Sequence, residues 1–219
     1  MSVAVDTRVL ELLCSRICHD LVSPVGAINN GVELMEELEG DMAGEAINLV
    51  AESGRKAAAR LRCFRLAYGV AGGQAGVPLE DGRLAATDYL AGGKISLSWP
   101  TASPSIAMSV PAGTVKMLLN LVMLAEEALS YGGAIAVELP DAGGGTAVVS
   151  ATGRAATLND PSLAALKGDA AVTELTARTV HAYVTGLLAR QYKMPIDAVN
   201  PEPSAPQARL ALRLHLPEV

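Results

Sequence analysis

Over the first 70 residues, apolar and small side chains recur in steps of three and four, at Leu10, Cys14, Ile17, Leu21, Val25, Ile28, Val32 and Met35. That spacing lines one face of a helix and, sustained this long, reads as a coiled-coil seam. Asp6 or Thr7 can cap its start. The run Glu37-Leu38-Glu39-Gly40-Asp41 breaks the pattern with a glycine, and a second stripe follows at Ile47, Val50, Gly54, Ala57, Leu61, Phe64 and Tyr68. Two antiparallel helices are predicted, each roughly 40 Å long at about 1.5 Å per residue, too long for a hairpin to bury its own seam. Pairing with a second copy into a four-helix bundle is therefore expected.

The pattern changes after the glycine-rich stretch Gly69 to Gly76. This boundary separates a helical hairpin at residues 1–70 from a second unit at 77–219. In the second unit, β-branched or alternating runs predict strands at Lys94 to Trp99, Ala134 to Leu139, Thr146 to Ala151 and Ala208 to Leu216, with turns at Gly132-Gly133 and Gly143-Gly144-Gly145. Helical stretches run from Ala112 to Ser130 and from Thr173 to Tyr192, and Pro195 to Pro206 reads as a loop. The element order predicts an α+β chain: a hairpin, then an α/β sandwich with helices on one face of a mixed sheet.

Composition narrows the function classes. Half of the 219 residues are hydrophobic, enough for a sizeable core. The net charge of −6 and the absence of a Lys/Arg-rich run argue against nucleic acid and acidic membranes as partners, since phosphate surfaces demand clustered positive charge. Met1 to Asp6 lacks a signal-peptide layout, and no apolar run approaches the roughly 20 residues a membrane span needs, so a cytoplasmic protein is expected. Cys14, Cys18 and Cys63 form no C-x-x-C pair and fall within helical apolar patterns, where reduced core thiols are expected and a metal site is not.

One polar residue stands apart from the seam. At about 100° per residue, Leu10, Ile17, Leu21 and Ile28 lie roughly 160 to 180° from His19, which turns the imidazole into solvent. Ser15, Arg16, Val22 and Ser23 flank it one turn to either side, with Leu12, Gly26 and Asn30 further along. The small residues leave the histidine open to approach by another protein, and Leu12 and Val22 are unusual on a solvated face. Lone exposed histidines are common, but Asp20 follows immediately and Pro24 sits inside the helix, a costly position that sequences keep mainly where function requires it.

The segment His19-Asp20-Leu21-Val22-Ser23-Pro24 resembles the H-box of sensor histidine kinases. Its extension through Val25-Gly26-Ala27-Ile28-Asn29-Asn30-Gly31, with Phe64-Arg65-Leu66-Ala67-Tyr68-Gly69, is similar to the ChpT family of histidine phosphotransferases from alphaproteobacteria. The second unit resembles a kinase ATP-binding domain in layout and departs from it in detail. In Asn120-Leu121-Val122-Met123-Leu124-Ala125, Leu124 replaces the second asparagine of an N-box. In Val149-Ser150-Ala151-Thr152-Gly153-Arg154-Ala155, Ala151 replaces the adenine-reading aspartate, and no glycine-rich lid appears near Thr185-Gly186-Leu187-Leu188. Losing metal ligand, adenine acceptor and lid together argues against ATP chemistry. Asn120 is then more readily a structural remnant than a ligand.

The resemblance implies a homodimeric carrier that accepts a phosphoryl group on His19 from the receiver domain of a hybrid histidine kinase and passes it to response regulators, such as a cell-cycle master regulator. His19 and Asp20 would do the chemistry. Leu12, Ser15, Arg16, Val22, Ser23, Gly26 and Asn30 would dock the partner, and Mg²⁺ would sit in the receiver, with no cofactor or metal in this chain. Asp20 would accept a hydrogen bond from one ring nitrogen while the other attacks. Arg16 either offsets phosphoryl charge or is an ordinary surface arginine. The competing readings are an ATP-dependent kinase fragment, which needs the missing boxes, and a non-catalytic adaptor or inhibitor, which would tolerate loss of the imidazole.

Overall fold

Asp6 accepts the Arg8 amide on its carboxylate at 2.8 Å, and from that cap the chain enters helix α1, Thr7–Glu37. The computed structural model describes residues 5–37, 41–103, 110–141, 144–201 and 208–217. The turn expected around residues 38–40, Gly143 of the glycine turn and positions 202–206 of the proline-marked loop lie outside them. Helix α2, Asp41–Ala67, returns antiparallel, setting Val50 beside Gly31 and Arg60 beside Asp20.

The predicted α1 stripe is not what joins these helices within the chain, although Val50 and Ala57 of the second stripe take part in the contact. The inner face of α1 carries Val9, Leu13, Pro24, Ala27 and Gly31, roughly 80 to 140° from His19, a quarter-turn from the expected seam. Small residues let the backbones close: a Cβ at Gly31 would lie 2.6 Å from Val50 Cγ2, so only glycine fits. Ala46, Ser53 and Ala57 are buried on α2. Part of the predicted seam is left open, with Leu10, Val25, Val32, Ile47 and Leu61 exposed, Leu61 at 54%, while Ile17 and Leu21 lean on the core. Cys14 lies on this open strip and Cys18 beyond it, so both are exposed, contrary to the expectation of core thiols; Cys63 is buried.

Past a short 3₁₀ turn at Val70–Gly73 come α3 (Leu79–Leu90), β1 (Ile95–Ser98), α4 (Thr114–Glu127), β2 (Gly133–Glu138), β3 (Gly145–Gly153), α5 (Asp160–Lys167), α6 (Val180–Tyr192), β4 (Ile196–Val199) and β5 (Ala208–Leu216). The five strands form one mixed sheet in the order β1-β2-β3-β5-β4. The β1–β2 pair is parallel, joined through α4, and the remaining pairs are antiparallel. Side chains alternate along β5, with Leu210, Leu212, Leu214 and Leu216 turned into the core. Every residue of α4 from Thr114 to Ala125 is buried. It lies against β2, β3 and β5, with α3 and α6 packed on it. Gly132 and Gly133 turn the chain from α4 into β2 at φ values of 83° and 152°, where a Cβ would meet the Lys94 and Thr152 carbonyls.

Two expectations change in detail. The helix expected from Thr173 begins only at Val180, after a 3₁₀ turn at Val172–Glu174 and a turn in which the Thr179 hydroxyl accepts the Thr176 amide at 3.0 Å, a capping bond at the helix start. The predicted proline-marked loop opens with strand β4, an edge strand that Pro195 and Pro201 flank without interrupting.

The hairpin is not tethered loosely to the sheet unit. Cys63, Phe64, Leu66 and Ala67 at the end of α2 share one continuous core with α3, α4 and the sheet, and Val9, Leu12, Leu13 and Ile17 of α1 join it. Phe64 stacks near Tyr68 and Tyr89, with ring centroids 5.8 and 6.3 Å away.

Candidate functional site

His19 projects from α1 with its side chain 89% exposed. Its Nδ1 lies 3.5 Å from Asp20 Oδ1, at the outer limit of hydrogen-bond range, while Nε2 makes no hydrogen bond among the described residues. Ser15, Val22, Ser23 and Asn30 are exposed around it, Val22 at 67%. Gly26 has nothing within 4 Å of where a Cβ would stand, so the surface beyond His19 is open. Leu12 is half-buried and leans on the core.

Asp20 is held from the side of α2. Proline has no N–H, so Pro24 cannot give the carbonyl four residues back its helical hydrogen bond. That carbonyl belongs to Asp20, and Arg60 supplies the replacement, donating from Nη1 at 2.7 Å. The same nitrogen lies 4.0 Å from Asp20 Oδ1. Helix α1 continues through Pro24, which is buried.

Arg16 is drawn away from His19. Its Nη2 donates to Glu127 Oε1 at 2.6 Å, its side chain is only 16% exposed, and neither reading from the sequence, phosphoryl partner or surface arginine, describes it. Glu127 Oε1 also faces Nδ1 of the fully buried His181 at 2.6 Å, and His181 Nε2 lies 3.2 Å from Asn120 Oδ1. Asn120 Nδ2 donates to the carbonyls of Ala67 and Lys116 at 2.9 and 2.8 Å. Lys116 Nζ reaches the Ala67 and Gly69 carbonyls at 3.3 and 2.5 Å. Tyr68 stands edge-on to His181. These bonds satisfy the carbonyls where α2 ends and clamp both hairpin helices to α4 and α6.

The charges of the clamp follow from its geometry. Burial pushes the Glu127 carboxyl up, and the adjoining His181 and Arg16 more than reverse this, holding it below the ordinary carboxylate range. Neighbouring Glu126 is shifted the other way by burial. Burial also lowers the Lys116 ammonium to about 8.

A groove of about 490 Å³ runs between the hairpin and the sheet unit beside the histidine turn, lined among others by Ser23, Pro24, Ser53, Lys56, Arg60 and Lys94. Among the described residues no group of His, Cys, Asp and Glu is arranged to hold a metal, and no helix is long and apolar enough to cross a membrane.

A family model for the histidine phosphotransferase C-terminal domain matches residues 79–204. Over 203 residues the chain is 38% identical to the protein phosphotransferase ChpT of Brucella abortus (strain 2308), spanning 90% of this chain and 94% of that one. The chain belongs to the ChpT family of histidine phosphotransferases. A solved bacterial phosphotransferase superposes with a TM-score of 0.76 at 33% identity, covering 96% of this chain and 98% of that one. The ChpT-family likeness thus spans hairpin and sheet alike.

Within this ChpT-family chain, the positions that resemble nucleotide boxes serve packing. Leu124 and Ala151 are both wholly buried in the core, and Asn120 is spent on the clamp. Of the other histidines, His181 is buried, and His215 pairs with Asp197 Oδ2 at 2.8 Å on the far side of the sheet. Sequence reasoning missed Arg60 and Glu127. Pro24 was the signal for the first, since a proline inside a helix announces a carbonyl in need of a donor. His181 within an apolar pattern was the signal for the second, since a buried imidazole requires polar partners.

Proposed function

We propose that this chain is a phosphohistidine carrier between receiver domains. Nε2 of His19 attacks the phosphorus of an aspartyl phosphate presented by the receiver domain of a hybrid kinase. The P–N bond forms as the P–O bond to the aspartate breaks, and the carboxylate leaves with its electron pair. Asp20, beside Nδ1, keeps the proton on that nitrogen and the lone pair on Nε2. The reverse step delivers the group to the aspartate of a response regulator, such as a cell-cycle master regulator. Charge on the transferring oxygens is met by Mg²⁺ in the receiver's acidic pocket.

The observation that carries this reading is the 89% exposed imidazole beside Asp20 on a turn open to approach. Ser15, Val22, Ser23, Gly26 and Asn30 form the docking surface, with Val22 as its apolar anchor. Leu12 supports that surface from the core side, and Arg16 acts through the clamp. The exposed strip of Leu10, Val25, Val32, Ile47 and Leu61 is covered by a second copy, giving a cytoplasmic homodimer with a four-helix bundle. Residues 1–70 act as the dimerisation and transfer domain, and 77–219 as a degenerate kinase-like domain that takes no ATP, since leucine and alanine side chains offer neither metal ligand nor adenine acceptor.

The test is incubation of the dimer with a phosphorylated receiver domain. Acid-labile, base-stable label on this chain supports the carrier. No label, with a receiver complex still formed, supports a non-catalytic adaptor. Micromolar ATP affinity in calorimetry would favour a kinase.

A further inference from the structure

We propose that Arg60 is a positioning residue for transfer, its guanidinium standing in for the backbone N–H that Pro24 lacks and so fixing the turn from which His19 and Asp20 project. The inference rests on His19 being the phosphoryl acceptor. Arg60 Nη1 donates to the Asp20 carbonyl at 2.7 Å, and the same nitrogen lies 4.0 Å from Asp20 Oδ1. One side chain of α2 therefore faces both the main chain and the carboxylate of the residue that orients the imidazole.

The physical need is specific. Without a donor, the Asp20 carbonyl beside Pro24 would tilt toward water, as carbonyls next to a helical proline do, and the helix would bend at the reactive turn. A bend there moves Nδ1 relative to Asp20 Oδ1, which already stand 3.5 Å apart, and re-aims Nε2 against an in-line phosphorus. Rates of such transfers fall steeply with misplacement of about 1 Å. Arg60 is half-buried and lines the groove on the hairpin flank, so its head group is set by packing and not by a mobile surface chain. Arginine suits the task because its planar, always-charged head can address a carbonyl and a carboxylate together.

The experiment measures single-turnover transfer from a phosphorylated receiver and, separately, receiver affinity, for the wild type, Arg60→Met, Arg60→Lys and the double variant Pro24→Ala/Arg60→Met. Alanine at 24 restores an N–H four residues after Asp20 and can close the missing helical bond. Arg60→Met is expected to slow transfer about tenfold or more with affinity within about threefold. Arg60→Lys recovers much of the rate, and the double variant transfers faster than Arg60→Met alone. Arg60→Met transferring at the wild-type rate overturns the proposal, as does a double variant no faster than the single one. A wild-type chain that takes no label overturns the carrier reading itself, so the two failures are distinguishable.

Discussion

Glu127 joins the half-buried Arg16 guanidinium and the buried His181 ring with one oxygen, so its replacement tests the clamp directly. In Glu127→Ala, Arg16 loses a 2.6 Å bond and His181, fully buried, loses its Nδ1 partner at 2.6 Å. Removing the carboxylate leaves the Arg16 charge and a buried ring nitrogen without their partner, at about 3 to 5 kcal/mol. Glu127 is 22% exposed, so water can re-enter in part and the lower end, about 3 kcal/mol, is expected. Glu127→Gln keeps an acceptor and loses the charge, for about 1 to 2 kcal/mol. The assay is urea unfolding at fixed protein concentration, with midpoints compared across pH. The folded Glu127 carboxyl lies below its ordinary value of 4.5, so its stabilisation is fully present above that value and is lost as pH falls through the depressed folded one. Glu126, shifted upward, has the opposite sign and loses stability as pH rises from 4.5 through its raised value. Glu127→Gln should therefore flatten the acid limb that wild type shows below about pH 4.5. A Glu127→Ala variant within about 0.5 kcal/mol of wild type would refute the clamp.

Charged residues at Leu10 and Leu61, both exposed within one chain, should convert a dimer to monomer in light scattering while leaving the circular dichroism of the chain unchanged; a persistent dimer would move the interface elsewhere. In the folded protein an aromatic disulfide reagent should modify Cys18, which lies beyond the open strip, and spare Cys63, which is buried with its thiol pushed up to about 12 and should react only in denaturant.

What was legible in the sequence depended on how local its cause was. The outward direction of His19 follows from helical arithmetic on residues within three turns, and the imidazole is exposed. The same arithmetic places the apolar stripe on α1, while the contact between the two helices of one chain falls a quarter-turn away from it. The hairpin contact adds Gly31, Pro24 and Ala46, whose value lies in permitting close approach and which carry little hydrophobic signal, to Val50 and Ala57 of the second stripe. Strand β5, nine residues of clean alternation, matches its predicted range Ala208 to Leu216, while β4 is four residues beside a proline. Helix α5 is too short for a periodic pattern to predict it, although Asn159 caps it, accepting the Ser162 amide at 2.9 Å. Arg60 with Asp20, and Glu127 with His181, are pairs 40 and 54 residues apart, and nothing in the spacing of either partner names the other.

The central claim is that His19 carries the phosphoryl group, and the most direct measurement is transfer from a phosphorylated receiver domain to the His19→Ala variant, read beside receiver affinity. An exposed imidazole contributes little to an interface anchored by apolar groups such as Val22. The account predicts that label on the variant disappears while receiver affinity stays within roughly threefold of wild type. Label appearing on the variant at the wild-type rate would contradict it.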